Sequence, residues 1–115
     1  MNHPAESTFW SAVCALDDIV PNTGICALIK DRHVAVFHVK GDDKRLFAID
    51  NIDPNTQASV LSRGLVGSLG ERIVVASPLH KHHFDLQSGE CLEAPEHSVK
   101  AYAVRIEDRT VWVAV

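Results

Sequence analysis

The sequence predicts an all-β fold, an antiparallel sandwich or barrel. Apolar residues recur in short runs bounded by turn residues, which is the mark of short strands. No stretch sustains helical periodicity, and none is long enough to serve as the crossover between parallel strands. With 115 residues, 46% of them hydrophobic, the chain is the size of one domain that can bury a core without disulfide staples. The expected organisation is a flexible N-terminus over residues 1–8 and a single domain over residues 9–115.

The elements follow in order. Residues 9–16 (FWSAVCAL) and 25–29 (ICALI) read as strands, joined by DDIVPNTG, where Pro21, Asn22 and Gly24 punctuate the chain. The LDDI portion is expected to form a single helical turn. Residues 33–39 (HVAVFHV) alternate well enough for a strand, and GDDK reads as a hairpin turn into residues 46–49 (LFAI). Residues 72–76 (RIVVA), 83–86 (HFDL), 101–106 (AYAVRI) and 110–115 (TVWVAV) supply four more strands, with QSGE and EDR as tight turns. That makes about eight strands. Residues 51–72 break the even spacing, with Pro54, Gly64, Gly67 and Gly70 and one amphipathic fragment, ASVLSRGLV. Long irregular loops in compact domains are usually functional or disordered, and GLVGSLG at 64–70 reads as a flexible loop.

Charge and composition exclude several functions. Fifteen Asp and Glu outnumber eleven Lys and Arg for a net charge of −4, and without a basic stripe no nucleic-acid partner is expected. The N-terminal residues lack the basic start and apolar run of a signal peptide, and no segment approaches the ~20 apolar residues of a membrane span, so a cytoplasmic protein without a membrane partner is expected. Cys14, Cys26 and Cys91 are odd in number and far apart, which fits reduced, packed thiols better than a disulfide framework. No serine has a nucleophile-elbow context, and the glycines of 64–70 match neither nucleotide-binding fingerprint. No catalytic residue is expected in this chain.

The motifs that carry a resemblance lie in two loops. A Rieske [2Fe–2S] centre takes two cysteines on one iron and two histidines on the other, from Cys-x-His in one loop and Cys-x-x-His in the next. Here the loops read N-I-D-P-N (51–55) and S-P-L-H (77–80). Aligned on the prolines, Asp53 stands at the first Cys, Asn55 at the first His, Ser77 at the second Cys, and His80 keeps the second His. The chain thus resembles a Rieske-like domain that lacks cluster ligands. The DP of the first loop, VLSRGLVG (60–67), VVASPL (74–79) and HFDLQSGECLEAP (83–95) are similar to the small subunit of assimilatory NAD(P)H-dependent nitrite reductase, over nearly the whole chain. His80 departs from the aromatic residue expected there in that family.

The resemblance implies a cytoplasmic oxidoreductase subunit that takes part in reducing nitrite to ammonium, for nitrate assimilation. It implies no cofactor in this chain, with FAD, an iron–sulfur cluster and sirohaem in a large partner subunit. It also implies that the two loops form a tip, on which Arg63, Leu79, His80, Lys81 and His82 are docking candidates, with Asn55 and Gln57 beside them. Asp53 also reads more simply as a turn-capping carboxylate before proline. The run H-K-H-H (80–83) admits another reading, a metal-binding module in which His80 and His82 share a strand face, His83 points away, and Asp53 or Asn55 completes the ligands. Arg63 either neutralises a nearby carboxylate or projects to a partner. Trp10 and Trp112 are expected in the core or on a sheet face.

Overall fold

The computed structural model describes residues 9–40, 45–79 and 81–115; the N-terminal stretch, the GDDK turn and His80 lie outside them. Eleven strands occur among the described residues: β1 (Trp10–Ala15), β2 (Thr23–Ile29), β3 (Arg32–Val39), β4 (Arg45–Asp50), β5 (Ile52–Asp53), β6 (Ala58–Ser59), β7 (Leu65–Leu69), β8 (Arg72–Ala76), β9 (His83–Asp85), β10 (Ala101–Glu107) and β11 (Thr110–Ala114). A six-stranded antiparallel sheet in the order β1-β11-β10-β4-β3-β2 forms a near-closed barrel, and a β5-β6 pair and a β7-β8-β9 sheet complete the fold. The all-β expectation holds, and LDDI does make a helical turn, a 3-10 turn at Leu16–Asp18.

Strand β3 shows why the sequence folds this way. Its central residues Val34 to Phe37 are all fully buried, because β3 is covered on both faces. Val34 and Val36 join Leu16, Ile19, Ile29, Val111 and Val113 inside the barrel. Ala35, Phe37 and Val39 face the other way, against Leu61, Val75, Phe84, Leu86 and Cys91. A period of two thus places one strand in both cores, and the second core holds the small sheet against the barrel. The flanking hairpins turn on Lys30-Asp31 and Asp108-Arg109, all at positive φ, the geometry of two-residue type I′ turns that match strand twist.

Residues 64–70 depart from the expected flexible loop. Leu65–Leu69 pairs with all of β8, Leu65 opposite Ala76 and Leu69 opposite Arg72. The strand lies at a sheet edge with Leu65, Gly67, Ser68 and Leu69 exposed, so its side chains carry little of the alternating pattern that reveals a strand; the backbone ladder to RIVVA makes it one. Residues 51–72 are accordingly a succession of short elements. Cys26 also differs from the packed-thiol expectation. It is exposed, Cys14 is half-buried, Cys91 is buried, and all three are free; β2 is an edge strand whose alternate residues Cys26 and Leu28 face outward.

Two polar networks lock strands together. Tyr102 Oη donates to Asp50 Oδ1 at 2.6 Å and lies 3.4 Å from the Arg32 guanidinium, joining β10 to the β3-β4 pair; burial and the Asp50 carboxylate push its pKa up to about 12. In the turn after β9, Asp85 Oδ1 accepts the N–H groups of Gln87 and Ser88 while Arg72 holds Oδ2 at 2.8 Å and Glu90 at 2.5 Å. Burial pushes the Asp85 carboxyl up, but the Arg72 and backbone hydrogen bonds outweigh it and hold its pKa below the ordinary value. A carboxyl with a lowered folded pKa stabilises the fold above its unfolded pKa of about 4, and that stability is lost as pH falls through the folded value. Thermal melts from neutral pH downward are expected to show Asp85→Asn less stable than the parent at pH 7, with the difference shrinking below about pH 4. A constant difference across that range would remove the ionised carboxylate from the account.

Candidate functional site

The two loops quoted from the sequence meet. The first crosses the β5-β6 hairpin, where Asp53 caps the turn: its Oδ1 accepts the Asn55 N–H at 2.8 Å, and its carbonyl accepts Gln57 N–H at 2.7 Å. This is the Asx turn expected of Asp before proline. The second loop closes on Ser77, whose carbonyl accepts the Lys81 N–H at 2.9 Å while its own N–H donates to the His82 carbonyl at 2.9 Å. Lys81 is held at φ +59°, a left-handed conformation uncommon for a residue other than glycine. Between the loops, the Ser77 hydroxyl donates to Asp53 Oδ2, and both residues are buried, at 0% and 1% exposure for Asp53 and Ser77. A second bridge lies beside the first. Asn55 Nδ2 donates to His82 Nδ1 at 3.1 Å, and that nitrogen lies 3.7 Å from Cys91 Sγ.

Asn51 supports the arrangement from beneath. Buried at 1% exposure, it donates from Nδ2 to Ser59 Oγ at 2.7 Å and accepts the Ser62 N–H on Oδ1 at 2.6 Å, while its carbonyl accepts Val60 and Leu61 at 3.0 Å. This seats the 3-10 turn Leu61–Arg63 against the first loop, with Leu61 in the core. Sequence reasoning passed over Asn51, although it opens the quoted N-I-D-P-N run. It also passed over the pairing of His83 with Glu93, Nδ1 to Oε2 at 2.5 Å, with the His83 N–H on Oε1 at 2.7 Å. Burial pushes the Glu93 carboxyl up, yet these hydrogen bonds from His83 hold its pKa below the ordinary value.

Asp53, Asn55 and Ser77, which the sequence aligns with three of the four cluster ligands, do not suit a [2Fe–2S] centre. Iron–sulfur clusters take soft thiolates, whereas Asp53 and Ser77, aligned by sequence with the two cysteines, are a carboxylate and a hydroxyl that bond to each other. Asn55, at a histidine position, spends its amide on His82. The metal-module reading gains nothing here either. Residues 81 and 82 precede β9 rather than lying on a strand, because Ser77 and His82 close a turn, and no group of three His, Cys, Asp or Glu among the described residues is arranged to hold a metal ion. His80 lies outside those residues.

Of the described docking candidates, Arg63 and Lys81 line one pocket. Lys81 and Leu79 are exposed, Leu79 at 53%, and Arg63 is exposed beside a pocket of about 390 Å³ lined by Arg63, Gly64, Leu65, Ala76, Ser77, Pro78, Lys81 and His83. Among the described residues neither Arg63 nor Lys81 makes an ion pair or a side-chain hydrogen bond, so Arg63 does not neutralise a loop carboxylate. His82 is half-buried and spent on the loop bridge. Gly64 is what lets β7 approach β8 here: a Cβ on it would lie 2.2 Å from the Ala76 carbonyl oxygen and 2.7 Å from Val75 Cγ2. Trp10 lies on the sheet face of β1, its ring beneath the Arg105 guanidinium at 4.2 Å.

Comparison with known proteins identifies the family. Residues 9–114 match the Rieske-like [2Fe-2S] domain. The nitrite reductase (NADH) small subunit of Escherichia coli K12 is 47% identical over 102 residues, 89% of this chain and 94% of its own length. The solution structure of the E. coli protein NirD superposes with a TM-score of 0.86 at 44% identity, over 94% of this chain and 97% of that one. A nitrite reductase [NAD(P)H] large subunit of Klebsiella oxytoca is 40% identical over 90% of this chain, in a match that spans 11% of its length. The chain therefore belongs to the Rieske-like [2Fe-2S] domain family, within the group of nitrite reductase small subunits.

Proposed function

We propose that this chain is the small subunit of a cytoplasmic NAD(P)H nitrite reductase, that it carries no cluster, and that it acts by docking to a large subunit which holds the FAD, iron–sulfur and sirohaem chemistry and reduces nitrite to ammonium. The observation that carries the reading is the hydrogen bond between Ser77 and Asp53, which joins the two loops through the residues at the thiolate positions. A soft metal centre is replaced by a hard, self-satisfied pair. The K. oxytoca large subunit supports the partnership, since a segment similar to this chain is part of the same polypeptide there.

In this reading the chain's residues position and bind; none transfers an electron. Asp53, Asn55 and Ser77 keep the loops in one shape, and loops fixed on a rigid scaffold are the usual carriers of binding. Arg63, Leu79, Lys81 and the neighbouring backbone present that shape to the partner. No helix among the described residues is long and apolar enough to cross a membrane.

Coexpression with the large subunit tests the proposal. The two chains are expected to co-elute, and the large subunit alone is expected to reduce nitrite more slowly than the complex. A large subunit that neither binds this chain nor changes its rate would contradict the assignment.

A further inference from the structure

Resting on the docking role just proposed, we infer that the pocket beside the second loop is a socket for an apolar side chain of the large subunit, presented on a short segment flanked by carboxylates. Three features of the pocket point to that chemistry. Gly64, Leu65, Ala76 and Pro78 give it an apolar wall, and its volume of about 390 Å³ is large enough for a Leu- or Phe-sized side chain. Leu65 on its lip is 81% exposed, the most exposed large hydrophobic among the described residues, with Leu79 one residue beyond Pro78 at 53%. Such residues mark an interface core when a polar rim surrounds them.

The rim specifies the partner's charge. Arg63 and Lys81 both line the pocket, and among the described residues neither side chain has a partner. The nearby Glu93 carboxylate is taken up by His83. In a chain of net charge −4, two unpaired cations around an apolar recess form a local field of the opposite sign, which steers and orients an acidic segment. The recess is also rigid: Gly64 sits against Ala76, and Leu65 is locked in register opposite Ala76.

Titration of the complete large subunit with the full-length chain tests the inference by calorimetry. Leu65→Asp is expected to weaken binding at least ~10-fold, the loss when an interface anchor is removed and carboxylates face each other. Arg63→Glu and Lys81→Glu are each expected to weaken it several-fold and to flatten its dependence on salt. Leu28→Asp, at an exposed apolar residue on β2, is expected to leave affinity unchanged. Melts of each variant verify folding, and the two charge variants carry the test if Leu65→Asp melts early. Parent-like affinity in folded Leu65, Arg63 and Lys81 variants would overturn the socket while leaving the subunit assignment standing. If the parent chain itself failed to bind the large subunit, the assignment would fall first.

Discussion

Replacing Asp53 by alanine is expected to lower stability by about 2–4 kcal/mol, a fall in Tm on the order of 10 °C or more for a chain of this size. The carboxylate is fully buried and accepts from the Ser77 hydroxyl and from the Asn55 N–H. Its loss strands two donors inside the protein, and a buried unsatisfied group costs more than the bond it formed. Ser77→Ala removes one donor and is expected to cost less, about 1–2 kcal/mol. Because the two residues share one bond, the double variant is expected to lose less than the sum of the singles, a coupling of at least ~0.5 kcal/mol. Asp53→Asn keeps an acceptor for the Asx turn and should fall between parent and alanine. Urea unfolding of the four variants measures all of this; strictly additive losses would show that the loops are not held by this pair.

Gly64→Ala is expected to have the other large effect. The added methyl would meet the Ala76 carbonyl at 2.2 Å and Val75 at 2.7 Å, so either β7 moves off β8 or both strands shift. Overpacking typically costs ~1–3 kcal/mol and more against backbone, and here it also displaces the rim of the proposed socket. Gly67→Ala is the internal comparison, since three residues further on, within β7, a Cβ at Gly67 meets nothing within 4 Å; it is expected to be neutral or slightly stabilising. The expected pattern is a large drop in Tm and in large-subunit affinity for Gly64→Ala and neither for Gly67→Ala. Equal melts for the two would refute the close approach of β7 to β8.

Most of the fold was legible because burial wrote it into the sequence. Residues 72–76 match β8 at both ends, and the long apolar run of β3 is what a strand covered on both faces requires. Residues 64–70 were not legible. With glycine at three of these seven positions and solvent on its outer side, β7 owes its form to the ladder with β8, and no periodicity records a ladder. The candidate site was legible in part. Asp-Pro and Ser-Pro stood out by comparison with a known ligand pattern, but their mutual hydrogen bond spans 24 positions. The Asn55–His82 bridge spans 27. The same holds for Leu65, whose importance comes only from a pocket shared with the second loop. Asn51 had a local signal, an asparagine at the end of a strand before a turn, and its role became visible only with the 3-10 turn it supports.

What the two loops hold decides most directly whether this chain is a cluster-free subunit. The measurement is iron and acid-labile sulfide, with visible absorption, on the chain purified without oxygen both alone and after separation from its large subunit. The proposed function predicts a colourless protein with neither element above background, because Asp53 and Ser77, aligned by sequence with the thiolate ligands, are a carboxylate and a hydroxyl bonded to each other. Two irons and two sulfides per chain with charge-transfer absorption would contradict it.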